Sequence, residues 1–308
     1  MRASFYSALG SCTSCLALLM LLAGLNLHAQ KIALTWDDLP AHHELPPGVT
    51  RLDVIQQILA AMKEAGLPPA YGFVNGIRLQ QEPGSDVVLK AWRAAGNPVG
   101  NHGWSHMNLS RHTTEEFERD VEKNEILLQS LMGTEDWHWL RYPNLAEGAT
   151  AEQRHEVRLW LNTKGYHVAA VTMGFGDHVW NPVYARCAAQ GNTQAIAVLE
   201  QTYLEAARHD AEARRRSARS SLGREIPYVL LMHVGAFDAR MLPRLLALYK
   251  QLGFQFIALE QAEEDPFYAP DLQLSLPSVD PLTLRTETTS SEAQPTTINR
   301  AEIEALCR

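Results

Sequence analysis

The chain has 308 residues and a formal net charge of −8 at pH 7. That acidic balance leaves no basic footprint for a nucleic acid, and no segment beyond residue 29 approaches the roughly 20 apolar residues a membrane-spanning helix needs. A chain of this length can form one large domain that buries about three quarters of its unfolded surface.

Residues 1–29 read as a secretory signal peptide: Arg2, an apolar stretch from Cys15 to Leu25, and the small Ala29 before Gln30. The expectation is an exported protein, periplasmic or extracellular, with no stable membrane span after cleavage; an uncleaved anchor is the alternative. Only Cys187 and Cys307 lie beyond the leader. In an oxidising compartment they can pair or stay free, and spacing alone does not decide.

From Lys31 onward, short β-rich runs alternate with amphipathic stretches, which predicts an α/β fold with a largely parallel sheet covered by helices. Ile32 to Thr35 is the first strand, and Thr50 with Asp53 opens a helix that Gly66 ends. A second strand spans Ala70 to Val74, and a helix from Ser85 to Ala95 leads to a third, Pro98 to Gly100. Thr113 with Glu116 caps a helix to Met132, whose charges read as a solvated face. Trp137 to Tyr142 is the fourth strand, Thr150 with Gln153 caps the next helix, and Tyr166 to Thr172 is the fifth.

Residues 183–224 interrupt this rhythm as a predicted helical insertion, a hairpin or lid before the sixth strand, Ile226 to Met232. Arg214, Arg215 and Arg216 within it read as a solvated face. A helix from Asp238 and a seventh strand, Phe254 to Leu259, follow. Residues 30–265 therefore form the expected domain. Residues 266–308, rich in Pro, Ser and Thr, read as a low-complexity tail with a short terminal helix.

The chemistry-bearing residues follow strands: Asp37 and Asp38 after the first, His102 and His106 after the third, Arg141 in the fourth, Asp177 after the fifth and His233 after the sixth. In a β/α barrel these strand ends share one face, where such barrels place their sites. Adjacent carboxylates repel unless a cation or proton intervenes, although an Asp-Asp pair is also a common surface turn. His102 and His106 stand four apart, which on one helical turn aims both imidazoles at one ion. With 12 histidines in the chain, such a pair arises by chance about half the time, so its weight rests on Asp38. Two histidines and a carboxylate leave an ion of the zinc type an open position for water. Asp37 can then act as general base and His233 as general acid, with Arg141 and Asp177 as their orienting partners. Structural readings stand beside these: an ion pair for Arg141, a loop cap for Asp177, a core histidine for His233.

Thr35-Trp36-Asp37-Asp38, His102-xxx-His106, Arg141-Tyr142-Pro143 and Leu231-Met232-His233, in that order, resemble the motifs of the polysaccharide deacetylases, the NodB-homology carbohydrate esterases of family 4. The resemblance covers about residues 31–260. It implies a distorted (β/α)7 barrel that removes N-acetyl or O-acetyl groups from polysaccharides or oligosaccharides with a divalent metal, Zn2+ first, with Co2+, Ni2+, Mn2+ or Fe2+ as alternatives. Carried over by position, Asp37 is the base, Asp38, His102 and His106 the ligands, Arg141 the partner of Asp37 and His233 the acid. The Leu145 N–H would help hold the oxyanion, and Asp177 with Trp180 is the best match to the fourth motif. Trp36 and Leu39-Pro40 depart from the usual Phe and Gly, which implies a reshaped first loop. His42 and His43 behind that loop are expected to face solvent. Trp104, Tyr142 and Trp180 are candidate platforms for sugar rings. A non-catalytic carbohydrate-binding relative and a mononuclear iron oxygenase are the rival readings.

Overall fold

The computed structural model describes residues 29–276 and 300–308. Nearly all of the leader and the stretch 277–299, which the sequence reads as tail, lie outside the described residues.

Seven parallel strands organise the chain: β1 (Gln30–Leu39), β2 (Gly72–Val74), β3 (Val99–Asn101), β4 (Trp139–Leu140), β5 (His167–Val168), β6 (Tyr228–His233) and β7 (Phe254–Phe256). The sheet order is β5-β4-β3-β2-β1-β6, with β7 also paired to β1. Alternate residues of a strand bond to the same edge. The Gln30 N–H donates to Gly253 and the Trp36 N–H to Tyr71. β7 and β2 therefore share one edge of β1 in succession, while β6 takes the other. Beyond β5, Met173 bridges Leu230 of β6, so the sheet curls toward itself. This is the expected (β/α)7 barrel in its distorted form.

Helices α1 (Arg51–Ala65), α2 (Asp86–Ala94), α3 (Thr114–Met132) and α4 (Ala151–Thr163) cover the outside. Each start follows from capping chemistry. Thr50 with Asp53 and Thr113 with Glu116 form reciprocal capping boxes, and the Thr150 hydroxyl accepts the Gln153 N–H. In α1 the buried Val54, Ile55, Ile58, Ala61 and Met62 recur at helical spacing, so one face packs on the barrel.

The insertion consists of α5 (Trp180–Ala189) and α6 (Thr193–Leu222), followed by β6 and α7 (Ala236–Gln251). It is a buttress, not a lid. Ala195, Leu199, Tyr203, Ala207 and Ala211 form a buried stripe along α6, and the Tyr203 hydroxyl donates to the buried Asp238 of α7 at 2.8 Å. Arg215 pairs with Glu225 and Arg214 with Asp210, so these arginines satisfy acids of their own neighbourhood.

The domain also runs past residue 265, the boundary expected from composition. Tyr268 and Leu274 are fully buried, and the Tyr268 hydroxyl donates to Pro227 O at 2.6 Å. A Pro-rich composition predicted poor order there, but two aromatic and apolar anchors suffice to fix the segment. Cys187 and Cys307 form a disulfide that ties the terminal helix Arg300–Ala305 to α5.

Candidate active site

Asp37 and Asp38 sit at the C-terminal end of β1, where Asp37 is the register partner of His233 on β6. In a regular strand neighbouring side chains point to opposite faces. Here the pairing with β2 shifts register between Trp36 and Leu39, and Asp38 adopts φ 63°. That left-handed residue turns its carboxylate to the same side as Asp37, and both reach His102: 3.6 Å from Asp37 Oδ2 and 3.5 Å from Asp38 Oδ1.

His102 and His106 do not share a helical turn, as their spacing predicts. They belong to an irregular loop in which Gly103 (φ 67°) and His106 (φ 59°) are left-handed. Side chains replace the helix as the organiser. Asp120 accepts the Ser105 N–H and hydroxyl, and Asn75 donates to the carbonyls of His102 and Gly103. At Gly103 a Cβ would stand 2.7 Å from Asp120, so this tight approach requires glycine. His102 Nδ1 lies 2.7 Å from Arg141 O, which makes Nδ1 the protonated nitrogen and leaves Nε2 as a free lone pair. Burial pushes the His102 pKa down to about 3, so the imidazole is neutral.

Asp38 Oδ1 is buried with no hydrogen-bond partner and faces His102 Nε2 at 3.5 Å and His106 Nε2 at 3.4 Å. A tetrahedral ion bonded at about 2.0–2.1 Å holds its ligands about 3.3–3.4 Å apart. These three groups therefore fit a divalent cation by chemistry and by spacing.

Arg141 is fully buried and uses its whole guanidinium: Nη1 to Asp37 Oδ1 (3.1 Å), Nη2 to Thr35 Oγ1 (2.9 Å) and Nε to Ala169 O (2.8 Å), over the Phe73 ring. Burial raises the Asp37 pKa and the Arg141 charge opposes that rise. The result is a carboxylate more basic than usual, held by one oxygen with the other left toward the cavity. Across the site, Asp177 takes the His233 N–H at 2.6 Å and lies 3.0 Å from His233 Nδ1. Burial alone would lower the His233 pKa, but the Asp177 carboxylate outweighs it and raises the value to about 10.

Asp37, Asp38, His102, His106, Asp177 and His233 line a cavity of about 560 Å3, together with His42, His43, Asn144, Leu145, His178 and Arg214, and Arg141 stands buried behind Asp37. Asp37, Asp38, His102, His106, Arg141, Asp177 and His233 thus converge. The three expected sugar platforms lie elsewhere. Tyr142 is buried and stacks on Phe117 in a satellite core. Trp180 is buried, donates its indole N–H to Thr202, and packs on Phe175 and Tyr203. Trp104 lies against Gly76 on one side and Lys123 on the other. None of the three lines the cavity. The Leu145 N–H already donates to Tyr142 O at 3.0 Å, so it closes a turn at the cavity wall. His42, expected in solvent, is only 8% exposed; its Nε2 lies 3.2 Å from Asp38 Oδ2 and its ring stacks on His233 at 4.6 Å. His178, which sequence reasoning passed over, stands 5.1 Å from the His233 ring. The sequence signal for both was only a local excess of histidine beside motif residues.

Residues 25–160 match the polysaccharide deacetylase family model, a stretch that includes Asp37, Asp38, His102, His106 and Arg141 but neither Asp177 nor His233. No curated protein matches the sequence. Among solved structures, the chain is similar to the chitin deacetylase of the fungal pathogen Colletotrichum lindemuthianum, with 19% identity and a TM-score of 0.51 over 75% of this chain and 86% of that one. It is also similar to the Xyl-CE4 domain of a multidomain xylanase from the hindgut metagenome of Trinervitermes trinervoides, with 15% identity and a TM-score of 0.51 over 79% and 93%. A third neighbour is BA3943 of Bacillus anthracis, a CE4 family pseudoenzyme, with 14% identity and a TM-score of 0.52 over 76% and 66%. At these identities the structural likeness is one of fold. The chain is thus similar to the polysaccharide deacetylases in sequence over residues 25–160 and in its (β/α)7 fold over about three quarters of its length.

Proposed function

We propose that the protein is a metal-dependent deacetylase that removes N-acetyl or O-acetyl groups from an acetylated polysaccharide or oligosaccharide. The observation that carries this reading is the orphaned Asp38 Oδ1 between two imidazole nitrogens, one of which, His102 Nε2, also lies 3.6 Å from the Asp37 carboxylate that Arg141 holds.

Asp38, His102 and His106 would hold the ion. When bound, a divalent cation, Zn2+ first among those that accept this ligand set, supplies a Lewis acid for the acyl carbonyl and lowers the pKa of water. Asp37 takes the proton of the attacking water at Oδ2, since Arg141 engages Oδ1. His233 carries its proton on Nε2, with Nδ1 turned to Asp177, and gives it to the departing nitrogen or oxygen. Asp177 keeps the imidazole oriented and charged until that transfer. An exported location accords with the Cys187–Cys307 disulfide.

The fold neighbour described as a pseudoenzyme favours one second reading, a carbohydrate binder without turnover. Acetate release from N-acetylglucosamine oligomers, peptidoglycan and acetylated xylan decides between them. Wild type is expected to release acetate from one of these; Asp37→Asn and metal-stripped protein are expected to lose it. Binding of the same glycans with no release from any of them would overturn the enzymatic reading.

A further inference from the structure

Asp38 presents its two oxygens to two different sets of imidazoles. Oδ1 faces His102 and His106. Oδ2 faces His42 Nε2 at 3.2 Å, close to the ligand separation that a tetrahedral ion imposes. His42 lies flat against His233, with centroids 4.6 Å apart and planes inclined by 29°. Asp38, His42 and His233 each offer a ligand atom, and these atoms all lie within 4.8 Å of one another. Asp38 and His42 are buried and the His233 side chain is 12% exposed, and His42 Nδ1 has no hydrogen-bond partner. His233 is prepared as His102 is: Nδ1 is tied back, by Asp177 in one case and by Arg141 O in the other, so Nε2 faces the cavity.

We propose that Asp38 Oδ2, His42 and His233 form a second cation site, joined to the first through the shared Asp38 carboxylate, and that a zinc-like ion occupying it inhibits the enzyme. The ligand set of two imidazoles and one carboxylate oxygen selects borderline ions of the Zn2+ and Co2+ type over Ca2+ or Mg2+. An ion there binds His233 Nε2 only with release of its proton to solvent, so His233 then carries no proton for the leaving group. The loop that departs from the family pattern at Leu39-Pro40 thereby acquires a role, since it is the segment that delivers His42. This inference rests on the deacetylase reading only for its inhibitory consequence; the binding site itself does not.

The test is metal stoichiometry, read by equilibrium dialysis against ZnCl2 with elemental analysis and, separately, by titration with CoCl2 in the visible range. Wild type is expected to bind two equivalents. His42→Ala and His42→Gln, checked for folding by circular dichroism, are expected to bind one, and His106→Ala is expected to keep the weaker equivalent while the tighter is lost. In acetate release, wild type is expected to fall at least tenfold as zinc rises beyond the first equivalent, whereas each His42 variant, referred to its own rate at one equivalent, stays level. One equivalent in wild type, or two in both His42 variants, overturns the proposal. Two equivalents without acetate release from any substrate would sink the enzymatic reading and leave the second site standing.

Discussion

Both oxygens of Asp177 are committed to His233: one accepts the backbone N–H at 2.6 Å and the other lies 3.0 Å from imidazole Nδ1. The carboxylate therefore fixes both the position of the strand end and the charge of its side chain. His233, buried but raised from 6.5 to about 10, stays protonated through neutral pH. A group whose pKa rises on folding contributes stability that is fully present below 6.5 and is lost as pH climbs through about 10.

The same pairing sets the alkaline side of the rate profile. Wild type is expected to lose acetate release near pH 10, and Asp177→Asn to lose it several units lower. A pH series on both proteins checks this; an alkaline limb that does not move would assign the donated proton to another group.

Arg141 restrains a base that burial makes more basic. In Arg141→Met the carboxylate loses its charge partner, so its pKa rises further and the acid limb of the profile moves to higher pH. Leaving a buried charge unpaired also costs about 3–5 kcal/mol, visible as a lowered midpoint in urea unfolding. Asp37→Asn keeps most of the hydrogen bonding and is expected to lower kcat by about 10²–10⁴-fold with a smaller loss of stability.

Chelation tests the ion itself. An ion at 100 times its Kd stabilises the folded state by about 2.7 kcal/mol. Dialysis against a chelator is expected to lower the melting temperature and abolish acetate release, with ZnCl2 restoring both. His102→Ala is expected to show the low melting temperature with or without zinc.

Cys187 and Cys307 are separated by 120 residues in sequence. Disulfides typically contribute about 2–4 kcal/mol, more for longer loops, chiefly by restricting the unfolded chain. Reduction, or Cys307→Ser, is expected to lower the thermal midpoint while acetate release at 25 °C persists, because the bridge ties α5 to the terminal helix and neither cysteine lines the cavity.

The strands and helices were legible because apolar runs and capping pairs are local signals. Thr50, Thr113 and Thr150 cap the helices their sequences announce. The motif residues were legible because each follows a strand and barrel strands end on one face. What failed was direction. Trp104, Tyr142 and Trp180 are neighbours of site residues along the chain, but adjacency does not say which way a ring points: core packing claimed Tyr142 and Trp180, and the half-buried Trp104 sits against Gly76 and Lys123. The pair His102 and His106 was found for the wrong geometry, since a loop braced by Asp120 does what a helical turn was expected to do. His42 was missed because its burial depends on the path of the loop after Leu39, which no periodicity encodes.

Six non-glycine residues among those described have positive φ, and five of them, Asp38, His43, His106, Asn144 and Leu145, line the cavity. Such conformations cost about 1–3 kcal/mol each, and the surrounding barrel must hold them. The site and the fold are therefore set against each other. Asp38→Gly relieves both the backbone and the crowding of two acids, so the ion-free variant is expected to melt higher than ion-free wild type while losing zinc. Selection for heat resistance alone, applied without a substrate, would be expected to erase this corner of the molecule first.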